Sequence, residues 1–230
     1  MEVETQLNGQ PDYRKQAREQ LKDNRGKTIL FTLSYGIIEA ILYAIIHFIF
    51  KVNMDNTFNI ILVLTSPLAL SSAIFYVKFS KSEKVRLMDI LTGFNRLLAA
   101  LIIYIVLNIP SIIQQLISFV APNTGANSGV IISIVVVTVS IFIELIYTMS
   151  YYIIADEKNI GIKEALIRSR KIMYGHKMEF FLLQLSFIGW GFVALLTVGI
   201  GLLWIVPYME LTYANFFLDI KQNYSEQTLI

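Results

Sequence analysis

Three glutamates interrupt long apolar stretches of this 230-residue chain: Glu39, Glu144 and Glu210. A carboxylate in such a place is costly to take out of water, so it must face protein or a water-filled space, pair with another group, or be neutralised. Around Glu39, the residues Tyr35, Tyr43 and His47 recur at intervals of four, which on a helix draws a drifting polar stripe along one side. Ser140, Glu144, Tyr147 and Thr148 cluster on a comparable face of another stretch. Two roles suit such groups: a polar pathway for a proton, ion or small solute, or hydrogen bonds between helices that fix a bundle. The packing role is the preferred reading, since few polar residues are involved.

Other chemistries are poorly supplied. The absence of cysteine excludes disulfides, thiolate metal sites and cysteine nucleophiles. The two histidines, His47 and His176, lie on different elements, and no H-E-x-x-H, G-x-S-x-G or P-loop pattern is present. No catalytic, metal or cofactor residue is therefore assigned, no cofactor is expected, and the chain is not expected to be an enzyme.

The elements that must position the glutamates are membrane helices. With 55% hydrophobic residues, 16% charged residues and a mean hydropathy of +0.60, the composition is too apolar for a soluble domain of this length. A bilayer core is crossed by about 20 apolar residues in a helix. Runs of that kind fall at 28–50, 57–79, 97–120 and 130–154. The apolar stretch 180–218 would extend about 58 Å as a single helix, nearly twice a bilayer. It divides at Thr197-Val198-Gly199-Ile200-Gly201 into spans 180–197 and 201–218, leaving 219–230 as a tail. Pro67, Pro110 and Pro207 lie inside spans and are expected to bend them or blur their ends. The expected fold is all-α: a single polytopic membrane bundle of about six transmembrane helices, with short amphipathic helices on one side.

Orientation follows from the basic residues. The segments 1–27, 78–96 and 155–178 and the tail hold 18 of the 19 Lys and Arg, and Lys51 alone falls on the other side. By the positive-inside rule both termini are cytoplasmic, in a multi-pass protein of the cytoplasmic membrane. The first 27 residues lack the apolar core of a removable signal peptide. Interleaved acidic residues and a net charge of only +2 argue against nucleic acid as a partner, and anionic lipid headgroups are the simpler one.

Each charged segment before a span also carries an apolar stripe. Pro11-Asp12 starts a helix with Tyr13, Ala17 and Leu21 on one face; Ser82 precedes Val85, Met88, Leu91 and Phe94; and Ile162, Leu166 and Met173 lie near one face of the third. Each segment ends on a glycine near a basic residue, at Gly26-Lys27, Gly93-Phe94-Asn95-Arg96 and Gly175-His176-Lys177. Glycine can end a surface helix there, while the basic chain snorkels to the headgroups. Three repeats of surface helix plus hairpin would produce this pattern, and so would convergent membrane-entry chemistry.

The run GIKEALIRSRKIMYGHKMEFFLLQLSFIGW, followed by LTVGIGLLWIVPYMELTYANFFLDI, resembles the bacterial integral-membrane family known as domain of unknown function 975. The opening YRKQAREQLKDNRGKTILFTLSYG is similar to that family's start. The resemblance implies fold and a bacterial membrane location, and it carries no reaction or catalytic residue. Trp190, Trp204 and Tyr208, in its most specific part, read as interfacial or packing aromatics. The favoured function is a membrane scaffold or accessory protein acting through membrane-protein partners or lipids. The alternative is a small-solute, ion or proton-coupled transporter.

Overall fold

The computed structural model describes residues 12–22, 24–49, 51, 54–120, 126–157 and 159–227. Pro11, Asn53, residues 121–125 of the expected uncharged loop and residues 228–230 of the tail lie outside them. Every regular element among the described residues is helical.

Helix α1 (Tyr13–Lys22) starts where Asp12 Oδ1 accepts the Arg14 and Lys15 amides, at 3.1 and 3.0 Å. This is a side-chain N-cap, which satisfies two donors that no helical carbonyl can reach. Its buried residues are the expected stripe, Tyr13, Ala17 and Leu21. Helix α2 (Arg25–Ala44) follows and widens into a π-helical turn at Ile45–Ile49. Gly26 lies inside α2, so it does not end the preceding helix as expected.

Helix α3 (Met54–Ser80) runs through Pro67. Proline has no amide hydrogen and leaves the carbonyl four residues earlier without its donor. Ser66 Oγ supplies one, bonding the Val63 carbonyl at 2.8 Å. The chain turns out of the helix at Ser82, which takes φ +58° while the Glu83 amide bonds back to the Lys78 carbonyl at 2.9 Å. Ser82 thus closes α3 and does not open a second surface helix.

The second amphipathic segment differs from expectation in kind and place. Leu87–Arg96 is a 3₁₀ helix packed along α3. Asp89 pairs with Lys78 while Gly93 meets Pro67 and Ser71, so the two run antiparallel. Gly93 does not end the segment; it is the point of closest approach. The segment leads directly into α4 (Leu97–Val120), and Leu87–Ser118 together form one long apolar stretch where a span at 97–120 was expected.

Helix α5 (Ala126–Tyr147) is followed by α6 (Met149–Asp156), the two separated at Thr148. Helix α7 (Ile162–Ile172) then lies against α5 and α6, its Ser169 hydroxyl bonding the Ile146 carbonyl at 2.7 Å. Gly175, at φ +89°, turns the chain after α7, in the capping role expected of all three segment glycines. Helices α8 (Lys177–Leu185) and α9 (Ile188–Leu196) make up the fifth expected span. The hairpin falls at Thr197–Gly201 as expected, with Val198 and Gly199 at φ +51° and +86°. Gly201 donates its amide to Thr197 Oγ1 at 2.9 Å, and α10 (Leu202–Gln227) returns through the bundle with Pro207 inside it.

Among the described residues, five stretches are long and apolar enough to cross a membrane: Arg25–Ile49, Val63–Ser80, Leu87–Ser118, Ser128–Asp156 and Lys177–Leu196. The sixth expected span, 201–218, falls within α10, which is not among the five. Instead the middle of α10 is enclosed, with Leu211, Ala214, Phe216 and Phe217 fully buried. A helix shielded by its neighbours needs less apolarity than one that meets lipid.

The core concentrates at one end of the bundle. Phe31 stacks on Phe75 at 4.0 Å, Phe180 stacks on Phe216 at 5.2 Å, and the Tyr13 ring meets Phe216 edge-on at 5.4 Å. The charged segments converge there too. Tyr13 donates to Asp219 Oδ2 at 2.9 Å, Asn215 donates to Gln20 at 3.0 Å, and Asp156 pairs with both Lys81 and Lys221. Towards the other end, Phe48, Leu116, Val120, Val130 and Leu196 expose apolar side chains, as a bilayer-facing surface requires.

Candidate functional site

Between the charged end and the end with exposed apolar side chains, the helices border a half-open cavity of about 750 Å³. Tyr35 of α2, Ser72 and Tyr76 of α3, Asn108 and Ser111 of α4, and Ser140 and Glu144 of α5 reach it. Thr32 of α2, Thr148 between α5 and α6, Tyr151 and Tyr152 of α6, Gln184 of α8, and Glu210 and Tyr213 of α10 complete the polar lining. Apolar walls come from Phe31, Leu107, Val206 and Met209.

Two of the three expected glutamates therefore share one chamber. Glu210 accepts a hydrogen bond from the Tyr152 hydroxyl at 3.2 Å. Glu144 accepts one from Gln184 Nε2 at 3.0 Å, and its side chain is exposed to the open space. Glu39 stays outside the lining but hydrogen-bonds Tyr35, which is in it, and Thr65. Tyr43 and His47 lie farther along the same stripe, stacked at 5.5 Å, and do not reach the cavity. The other expected cluster divides. Ser140, Glu144 and Thr148 face the cavity, whereas Tyr147 turns to a different one on the bundle's flank.

Electrostatically the chamber is one-sided. Its described lining includes two carboxylates and five tyrosines but no Lys, Arg or His. A lining with carboxylates and no basic side chain among the described residues favours a positive ligand over a negative one. Tyrosine faces add attraction for a cation. Among the described residues no three His, Asp or Glu side chains come close enough to hold a metal ion together.

Four of the five lining tyrosines carry no signal in the sequence. Tyr76, Tyr151, Tyr152 and Tyr213 each sit alone or paired in apolar runs, where an aromatic residue reads as packing. Their shared feature is that they line one cavity, which appears only once α3, α6 and α10 are brought together.

At the charged end, an ion-pair clasp closes the bundle. Asp156 bridges Lys81 and Lys221, the latter at 2.6 Å, and Glu157 takes Lys221 and Arg168 at 2.6 Å each. Arg96 adds hydrogen bonds to the Glu157 and Ile160 carbonyls. Burial alone would push the Glu157 carboxyl up, but its bonds to Lys221 and Arg168 outweigh that and hold it below the usual carboxylate range. Burial likewise opposes the charge on Lys221, and hydrogen bonds to Asp156 and Glu157 reverse the balance, raising it above an ordinary lysine.

The aromatics of the most specific resembling segment pack together. Trp190 meets Tyr208 edge-on at 6.3 Å, and Phe187 meets Tyr208 at 5.3 Å. Trp204 stays about half exposed, as an interfacial side chain does.

Comparison with curated proteins and with solved structures returns no match in either case. A family model described as protein of unknown function (DUF975) matches residues 8–224, nearly the whole chain, and so the protein belongs to that family.

Proposed function

We propose that the protein is a membrane carrier for a small organic cation, held in the chamber between Glu144 and Glu210. The observation that supports this reading is a cavity of about 750 Å³ between apolar helices, lined by two carboxylates and, among the described residues, by no basic side chain. Intramembrane ionisable groups facing a cavity are the usual mark of a solute or ion path. The bundle sits in the membrane as six spans with both termini cytoplasmic. The convergence of the charged segments at one end supports that orientation, because the positive-inside rule places such an end in the cytoplasm.

The scaffold reading preferred from sequence accounts for the Tyr152–Glu210 and Gln184–Glu144 hydrogen bonds as glue between helices. It does not account for the space between them, since a purely structural pair is best served by close packing.

Purified protein in liposomes tests the reading against a panel of small amines, quaternary ammonium ions and neutral or anionic solutes of similar size. Selective binding and uptake of cations is expected, lost in Glu144→Gln and Glu210→Gln proteins that remain folded. Folded wild-type protein that neither binds nor moves any cation in the panel would overturn it.

A further inference from the structure

On the flank of the bundle, a second and larger cavity of about 970 Å³ has a different chemistry. Its rim carries Lys163, Arg170 and Lys171 of α7 and Lys177 at the start of α8. Among the described residues none of these four forms an ion pair. His176 also lies on the rim, but it is engaged with Glu179 at 3.1 Å. No Asp or Glu belongs to the described lining.

The floor is apolar and comes mainly from α4 and α5, which are long and apolar enough to span a membrane. Val106 and Ile109 of α4, Ile143 of α5 and Ile220 of α10 form it, with Leu166 joining from α7. Val106 lies about 15 Å of helix beyond Arg96, so the floor extends into the hydrocarbon depth while the rim remains at the charged end. Tyr174, largely exposed at the rim, is placed where an aromatic side chain favours the membrane interface.

We infer that this cavity is a binding site for one anionic phospholipid, its phosphate held by Lys163, Arg170, Lys171 and Lys177 and its acyl chain lying on the α4–α5 floor. Four cations without carboxylate partners call for an anion, and a floor continuous with the lipid-facing surface calls for an acyl chain on that anion. A free phosphate ester would use the rim and leave the floor empty. The inference does not rest on the cation-carrier reading, because the two cavities have different linings and opposite charge.

Native mass spectrometry tests it on the full chain, taken from mixed phosphatidylcholine and phosphatidylglycerol vesicles. One phosphatidylglycerol should remain bound through mild delipidation. Lys163→Gln/Arg170→Gln/Lys171→Gln should weaken its retention about tenfold or more, given the pull of each basic residue on an anionic lipid. Lys15→Gln/Lys22→Gln/Lys84→Gln, which removes the same charge from exposed positions elsewhere, should not. Lys163→Arg/Lys171→Arg keeps the rim charge and should keep the lipid, which guards against reading a folding defect as lost binding. Inorganic phosphate and glycerol phosphate should fail to displace it. No preference for phosphatidylglycerol over phosphatidylcholine, equal losses in the two triple variants, or displacement by glycerol phosphate at lipid-like concentrations would overturn the assignment.

Discussion

The amide of Gly93 donates to the hydroxyl of Ser71 at 2.8 Å, and that hydroxyl in turn bonds the Pro67 carbonyl at 3.0 Å. A β-carbon on Gly93 would lie 1.9 Å from the same carbonyl. The contact locks the 3₁₀ segment Leu87–Arg96 onto α3 and so sets where α4 begins. Gly93→Ala is expected to cost about 3 kcal/mol or more, since backbone must move to admit the methyl. Gly36, in α2 with open space around it, is the control, and Gly36→Ala should be neutral or gain up to about 1 kcal/mol. Thermal unfolding of the two variants in detergent checks the contrast.

The clasp at the charged end should make stability depend on pH in a defined way. Glu157 is held below its unfolded range, so its contribution is present above about pH 4 and lost as pH falls through the lower folded value. Lys221 is held above its own, so its contribution is present below about pH 10 and lost as pH rises further. Melting temperature should therefore be flat between these limits and fall on both sides. Lys221→Met should lower stability by about 2 kcal/mol at neutral pH, because Asp156 and Glu157 retain Lys81 and Arg168. A melting profile in which Lys221→Met still loses stability above pH 10 would show that another group is responsible.

The amphipathic α1 is docked on protein, with Leu21 buried and Lys22 exposed. Leu21→Glu should reduce the yield of folded protein far more than Lys22→Glu, as read by size-exclusion profiles after membrane extraction. Leu91, half exposed on the outer side of the 3₁₀ segment, should fall between them.

Because the chain lacks cysteine, each introduced thiol reports one position. Cysteines at Asn24, Ser82, Asn159 and Ser225 are expected to react only from the cytoplasmic side, and those at Asn53 and Asn127 only from outside. Outside labelling at Ser225 would replace the six-span arrangement with an odd number of spans.

Much of the scaffold was legible because local rules decide it. The stripe Tyr13, Ala17 and Leu21 marks the buried face of α1, and the glycines after Thr197 mark the hairpin. The 3₁₀ segment was misread as a surface α-helix although Val85, Met88, Leu91 and Phe94 recur every three residues, the period of a 3₁₀ helix and not of an α-helix. Met88, Leu91 and Phe94 form its exposed side, and Ile90 and Gly93 face inward. The carboxylates of the chamber were visible one at a time, as misfits in apolar runs. Their meeting was not visible, because it depends on which helices touch, and residues as far apart as Tyr35 and Glu210 share no local signal.

A carrier of this kind requires that the space between Glu144 and Glu210 hold water and solute. Single cysteines at Ser72 and Ser140, on the lining, and at Val135, on the exposed outer part of α5, test it directly with a small membrane-impermeant cationic thiol reagent. Rapid modification at Ser72 and Ser140 and none at Val135 is the predicted result, with the reaction slowed in Glu144→Gln protein that no longer attracts the cation. Folded protein in which Ser72 and Ser140 are as unreactive as Val135 would mean a dry, packed interior and would contradict the account.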